Sequence, residues 1–295
     1  INNNINNLNN LEKDDNESLE KLSLNTLACL IASGINPNKC TLFLQSSIPF
    51  HTELQWILSC ITSNSWLNTM IQFKEKKIDS NGLYSYPILM AADVLLYKGS
   101  HVPVGVDQLQ HLELMAKIAE RMNKTCKKKI FNIPKPIFSN QPKVMSLTNA
   151  SKKMSKSDPS QLSLIYLTEN KETISKKILK AKTDSIGSIK YDFEKRPELA
   201  NLISIYSAII GKSFDEVEKI FDAANTYEFK LKLIEVVCAE ILPISEKANK
   251  LIKHENDYLL DILREGEKVA FDIAKNTIGE VKETLKVLSV PKIMH

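Results

Sequence analysis

Arginine is almost missing from this 295-residue chain: Arg121, Arg196 and Arg264 are the only three among 39 basic residues. With asparagine and isoleucine abundant, that bias points to AT-rich codon supply. The net charge of +4 is therefore weak ground for a nucleic-acid partner. Cysteine is sparse and scattered, at positions 29, 40, 60, 126 and 238. An odd number with no Cys-x-x-Cys pair and no Cys/His cluster supports neither a zinc site nor a disulfide framework. No apolar run approaches the roughly 18 to 20 residues that cross a bilayer, so no membrane partner is expected. No secretory leader is visible, and the histidines at 51, 101, 111 and 254 form no nucleophile or metal constellation in the sequence.

What is present reads as helices with a few short strands. Residues 1–18 open with INNNINNLNN and lack the spaced apolar side chains that offset ordering entropy, so disorder is expected there. A helical pattern begins at Leu19 and stops at Gly34. Thr41 to Gln45, TLFLQ, reads as a buried strand. Leu54, Ile57, Leu58 and Ile61 give one apolar helix face, and Tyr86 to Tyr97 reads as a nearly all-apolar helix. His101 to Val104 is a short strand leading into Gly105-Val106-Asp107-Gln108. A helix follows whose inner face carries Leu112, Met115, Ala119 and Met122, with Asp107 placed to cap it. This alternation predicts an α/β unit with a parallel sheet over 19–182. After a polar connector at 183–198 only helical periodicity remains. Leu259, Leu263, Ala270, Ile273, Val281, Leu285 and Leu288 fall on one side, so 183–292 reads as an all-α bundle.

Two features carry chemistry. The first is Lys153-Met154-Ser155-Lys156-Ser157, followed by Asp158-Pro159. A generic Lys-x-x-Lys is a solvated loop in a lysine-rich protein. The full string is more specific: paired ammoniums among small hydroxyl residues suit a loop that grips a polyphosphate and stabilises charge on its leaving group. The second is Asp93, a lone carboxylate inside PILMAADVLLY, costly to bury without a partner. Tyr86, Met90, Asp93 and Tyr97 fall at i, i+4, i+7 and i+11, one stripe of a helix. The stripe places a hydrogen-bond acceptor beside an aromatic ring and a thioether.

The lysine string resembles the second signature loop of class I aminoacyl-tRNA synthetases, and its Asp-Pro extension resembles the bacterial-type tryptophanyl-tRNA synthetase family. TLFLQS, QFKEK, YPILMAADVLLY, VPVGVDQLQH, VMSL, KKMSKSDP, TDS and NLISIYS resemble that family in order and spacing, from about residue 19 to about 290. The resemblance implies a Rossmann-like catalytic domain, a helical anticodon-binding domain and a homodimer. It implies ATP and L-tryptophan as substrates, Mg²⁺ with the ATP, and tRNA(Trp) as acceptor. It implies catalytic roles for Lys153, Ser155 and Lys156. Asp93 would accept the indole N–H, Met90, Val94, Val102 and Val104 would pack the ring, and Tyr86 and Gln108 would bind the α-ammonium. Gly105 and Asp107 would meet the ATP ribose, the backbone of Val144 and Met145 would meet adenine, and Met154 and Ser157 would complete the nucleotide loop. Val106 departs from the glutamate common in bacterial members.

The family's Gly-x-Gln-Pro-Ser-Gly-like loop and His-x-Gly-His-like tetrad do not occur in this sequence. With Ile1 at its start, the chain is expected to be a fragment lacking the first β-α unit and impaired alone in forming adenylate. A tyrosyl-tRNA synthetase and a non-catalytic tRNA-binding paralogue are the alternatives. Asparagine-rich low complexity in a bacterial-type enzyme suggests an organellar matrix, mitochondrial or plastid; a bacterial source would make it cytoplasmic.

Overall fold

The computed structural model describes residues 18–70, 80–138, 143–156 and 158–287. In chain order the elements are α1 (Leu19–Ala32), α2 (Phe50–Ser59), α3 (Asn64–Asn68), α4 (Asn81–Leu95), β1 (His101–Val104), α5 (Leu109–Cys126), β2 (Lys135–Phe138), α6 (Lys171–Lys180), α7 (Pro197–Ile210), α8 (Phe214–Ile220), α9 (Thr226–His254) and α10 (Asn256–Thr284). Short 3₁₀ turns occupy Gln45–Ser47 and Val106–Gln108. The expectation for the asparagine tract lies outside the described residues, as do those for QFKEK, Ser157 and Leu288.

The chain divides into two compact units. Among the described residues the first holds 37–138 and 260–287, and the second holds 18–36 and 143–259. Neither is continuous in sequence, and the division does not fall at 182/183. The reason is local packing: α1 buries Leu27, Ala28 and Ile31 and packs on α9. The Lys247 ammonium of α9 also donates to the Ile31 carbonyl near the end of α1 at 3.2 Å.

The first unit is built on a β-α-β crossover. β1 and β2 pair in parallel, with His101 opposite Lys135 and Val104 opposite Phe138. Connecting parallel strands requires such a crossover, here through α5. The three- and four-residue spacing of Leu112, Met115, Ala119 and Met122 makes that helix amphipathic, and all four are buried as the pattern predicts. Met115, Ala119 and Met122 join Leu54 and Leu58 of α2, Ile88 and Leu95 of α4, and Ala270, Ala274, Ile278 and Val281 of α10 in one core. The all-apolar helix starts earlier than expected, at Asn81, because the Ser80 hydroxyl accepts from the Leu83 amide at 3.2 Å. Pro87 lies within it, where its missing N–H leaves the helix one hydrogen bond short.

Two expectations are corrected here. Thr41 to Leu44 is not a strand but irregular backbone running into a 3₁₀ turn. Helix α10 meets this backbone at Gly266, so closely that a Cβ there would overlap the Leu42 carbonyl. A helix thus lies against the segment. The apolar stripe of α10 is also different. Leu259, Gly266, Ala270, Ala274, Thr277 and Val281 are buried, whereas Ile273 is 43% and Leu285 38% exposed. Small residues four apart let the helix approach its neighbours, while Ile273 and Leu285 turn outward.

The Gly266 approach yields a sign test. Gly→Ala in a helix ordinarily stabilises by about 0.5–1 kcal/mol. At Gly279 of α10, exposed and with open space around it, Gly279→Ala should do so. Gly266→Ala should instead destabilise by about 1–3 kcal/mol, since the backbone must shift. Urea unfolding midpoints of the two variants moving in the same direction would contradict this packing.

The second unit is helical. Its core gathers Ile174 and Ile178 of α6, Leu199, Leu202 and Ile203 of α7, Val217 of α8, and Phe229, Leu233 and Val237 of α9. Capping boxes at Ser213/Glu216 and Asn225/Glu228 start α8 and α9. Arg196 organises the polar connector. It forks onto Asp184 at 2.8 Å through two nitrogens and donates to the carbonyls of Ile186 and Ser188. That hydrogen-bonded fork holds the Asp184 carboxyl below its ordinary range.

Candidate active site

In the first unit, α4 presents two distinct faces. Pro87, Ile88, Ala91, Ala92 and Leu95 are buried in the core. Tyr86, Met90, Asp93 and Val94 are half-buried on the other side, with Tyr97 just past the helix end. The helical period separates the two sets, so the stripe expected from spacing forms a partly open face.

Asp93 is not alone on that face. Gln45 Nε2 straddles its carboxylate, 2.7 Å from Oδ1 and 2.9 Å from Oδ2. Oδ1 also meets His51 Nδ1 at 2.8 Å, and His51 Nε2 meets the Tyr97 hydroxyl at 2.9 Å. Burial, and then the Asp93 charge, push the Tyr97 phenol pKa far up, so the hydroxyl stays protonated. His51 is 3% exposed while the Asp93 side chain is 31% exposed, so the carboxylate is braced from behind and open in front.

The strand β1 adds Val102 and Val104, the half-buried residues of its alternating pattern. Gly105 follows; a Cβ there would stand 2.6 Å from Asp107 Oδ1 and would move that carboxylate aside. Asp107 lies in the 3₁₀ turn and accepts from the Gln108 side-chain amide at 2.9 Å. The helix-capping expectation for Asp107 does not hold as stated. The cap position of α5 is Gln108, without a side-chain cap bond, because the 3₁₀ turn shifts the helix start by one residue. Tyr86 Oη lies 3.0 Å from Nε2 of buried His111. Burial pushes the His111 pKa down, with the Asp107 charge opposing it, and its Nδ1 is buried with no hydrogen-bond partner.

The lysine loop belongs to the second unit. Met145 and Lys153 form an antiparallel bridge. The Ser146 amide donates to the Lys152 carbonyl at 2.9 Å, and the Met154 amide to the Val144 carbonyl at 3.1 Å. Met154 is half-buried against this unit's core, leaving Lys153, Ser155 and Lys156 exposed. Apolar insertion of the one methionine thus turns both ammoniums toward solvent.

Both backbone groups of Met145 are held by Asn201: the amide donates to Asn201 Oδ1 at 2.9 Å, and the carbonyl accepts from Asn201 Nδ2 at 2.8 Å. Met145 thus anchors the loop, and Val144 beside it is exposed. Gln45, His51 and Asn201 were not foreseen. Gln45 lay hidden in a run read as a strand. His51 had no Cys/His neighbour to mark it. Asn201 opens the NLISIYS segment, which told of family but not of contact.

Comparison with known proteins agrees with this geometry. The family model for class I tRNA synthetases (W and Y) matches residues 7–238. A tryptophan–tRNA ligase of Rickettsia conorii is 42% identical over 266 residues, covering 88% of this chain and 80% of the relative. One from Prochlorococcus marinus is 43% identical over 287 residues, 94% of this chain and 85% of the relative. The crystal structure of tryptophanyl-tRNA synthetase from Campylobacter jejuni with ADP and tryptophan superposes with a TM-score of 0.76 at 31% identity, over 93% of this chain and 86% of that one. With the fold, the Asp93 face and the lysine loop, these matches lead to one assignment: the chain belongs to the class I tRNA synthetases, on their tryptophanyl branch.

Proposed function

We propose that this chain is a tryptophan–tRNA ligase: it activates L-tryptophan with ATP to tryptophanyl-adenylate, releasing pyrophosphate, and passes the acyl group to the 3′ end of tRNA(Trp). The carrying observation is Asp93, a braced and partly open carboxylate on one helix face with Met90 and Tyr86. A phenol hydroxyl could also donate to such a carboxylate, so the choice against a tyrosyl enzyme rests on the relatives, which are tryptophan–tRNA ligases.

In this reading Asp93 accepts the indole N–H, Met90, Val94, Val102 and Val104 enclose the ring, and Tyr86 and Gln108 meet the α-ammonium. Gly105 leaves room beside Asp107 for the ribose hydroxyls, and the backbone of Val144 and Met145 meets adenine. Lys153 and Lys156 act as point charges on the phosphates, with the greatest effect where charge moves onto departing pyrophosphate. Ser155 and Ser157 add hydroxyl donors. Among the described residues no group of three His, Cys, Asp or Glu is arranged to hold a cation. Mg²⁺ would enter with ATP, held by phosphate oxygens and water.

Tryptophan-dependent ATP–pyrophosphate exchange is the test. Exchange with tryptophan and not with tyrosine is expected. No exchange, or exchange driven by tyrosine, would overturn the reading.

The second unit is the proposed anticodon-reading half, and the assembly a homodimer joined through the first unit. Trp56 on α2, left 70% exposed, is the position that tests the dimer. Trp56→Glu should shift the sedimentation of the protein toward monomer; an unchanged profile would remove Trp56 from the interface. No helix among the described residues is long and apolar enough to cross a membrane. An organellar matrix is the proposed location, to be checked by fractionation.

A further inference from the structure

The tryptophan pocket needs more than an acceptor; it needs the acceptor held in one orientation and one charge state. A carboxylate offers about four lone-pair sites. On Asp93, Oδ1 carries two contacts, Gln45 Nε2 at 2.7 Å and His51 Nδ1 at 2.8 Å, while Oδ2 carries one, Gln45 at 2.9 Å. The spare capacity is therefore at Oδ2.

The direction of the chain behind it is set by chemistry. A carboxylate only accepts, so His51 Nδ1 must carry the proton facing Asp93. With a neutral imidazole, the Tyr97 hydroxyl, kept protonated by burial and by the Asp93 charge, donates to His51 Nε2, and His51 Nδ1–H donates to Asp93 Oδ1. Phe43 packs on both rings, 6.1 Å from His51 and 5.4 Å from Tyr97, and limits their rotation.

We propose that Gln45 and His51, backed by Tyr97, are positioning residues that fix Asp93 as the indole acceptor and so set selectivity for tryptophan. The proposal rests on the reading of Asp93 as that acceptor. Neither Gln45 nor His51 need touch the amino acid; both act through the carboxylate. Loss of either lets the carboxylate rotate about its last torsion, and an acceptor that turns away no longer rewards a ring N–H.

The experiment compares equilibrium binding of tryptophan with binding of its analogue whose ring N–H is replaced by sulfur. The two ligands share shape and α-groups, so their affinity ratio isolates the N–H contact. Gln45→Met removes the amide donor at similar length, His51→Leu removes both ring nitrogens, and His51→Asn restores a donor near Nδ1. Gln45→Met and His51→Leu should each cut the ratio by about tenfold, one charge-assisted hydrogen bond's worth, and His51→Asn should recover most of it. Asp93→Asn is run beside them. If it collapses the ratio and the Gln45 and His51 variants do not, the positioning role is wrong and the acceptor stands. If Asp93→Asn leaves the ratio unchanged, the acceptor reading fails and this proposal with it. Equal weakening of both ligands by the Gln45 and His51 variants would reduce these residues to structural ones. Should His51→Leu fail to fold, the half-buried Gln45 site decides alone, by the same ratio.

Discussion

Asp93→Ala should erase the preference for tryptophan over phenylalanine and leave ATP binding largely intact. The tryptophan side of the effect is the loss of one hydrogen bond to a charged group, about 1.5–3 kcal/mol, or about 10- to 150-fold in kcat/KM. The phenylalanine side runs the other way. In the parent, phenylalanine excludes water from a carboxylate without offering it a donor, and sites of this kind reject such analogues by about 10⁴-fold. In the variant nothing is left unpaired in front of the ring, so phenylalanine binds better in absolute terms. Behind the ring, Gln45 and His51 lose their shared acceptor. A second readout follows from the electrostatics: burial is the larger cause of the raised Tyr97 pKa and the Asp93 charge the smaller. The phenol should therefore titrate lower in Asp93→Ala while remaining above its ordinary value, measurable by ultraviolet titration. ATP–pyrophosphate exchange with tryptophan, tyrosine and phenylalanine measures the selectivity. Discrimination that survived would remove Asp93 from the recognition of the ring.

The parts of this molecule legible in sequence are those set by short-range periodicity. The inner face of α5 and the strand at His101–Val104 follow from where apolar residues recur. Family motifs marked the Asp93 helix and the lysine loop for the same reason: their chemistry is written in contiguous residues. What stayed hidden is contact between distant positions. Gln45 and His51 stand 48 and 42 residues from Asp93, and Asn201 stands 56 from Met145. Nothing local says that a glutamine in an apolar run will straddle a carboxylate. Thr41–Leu44 has strand composition, yet its surroundings are set by Gly266, far along the chain. In α10 the eye follows large apolar residues, whereas close packing selects the small ones, Gly266, Ala270 and Ala274. The two units draw on separated stretches for the same reason, since α1 finds its apolar partner in α9.

Asn201→Ala should lower the rate of tryptophan activation by about 10²-fold without weakening tryptophan binding, the cost expected when a catalytic group moves by about 1 Å. Asn201 is 3% exposed and clasps the Met145 backbone through both its amide atoms. Met145 in turn pairs with Lys153, and its neighbours Val144 and Ser146 bond to Met154 and Lys152. The lysine loop is thus tied to α7 through one asparagine. Alanine leaves a shielded N–H and a shielded C=O unpaired, about 1–3 kcal/mol for each, so the segment shifts to satisfy them and carries Lys153 with it. Because the lysines act where charge moves onto pyrophosphate, the loss should fall on kcat. Tryptophan affinity should hold, since its residues belong to the first unit. The control is Ser204→Ala on the same helix. Its hydroxyl bonds only to the Ala200 carbonyl one turn back, so its removal should cost little stability and no rate. Folded Asn201→Ala with parental exchange kinetics would show that the clasp serves stability alone; a raised tryptophan KM would show that the loop is not what it holds.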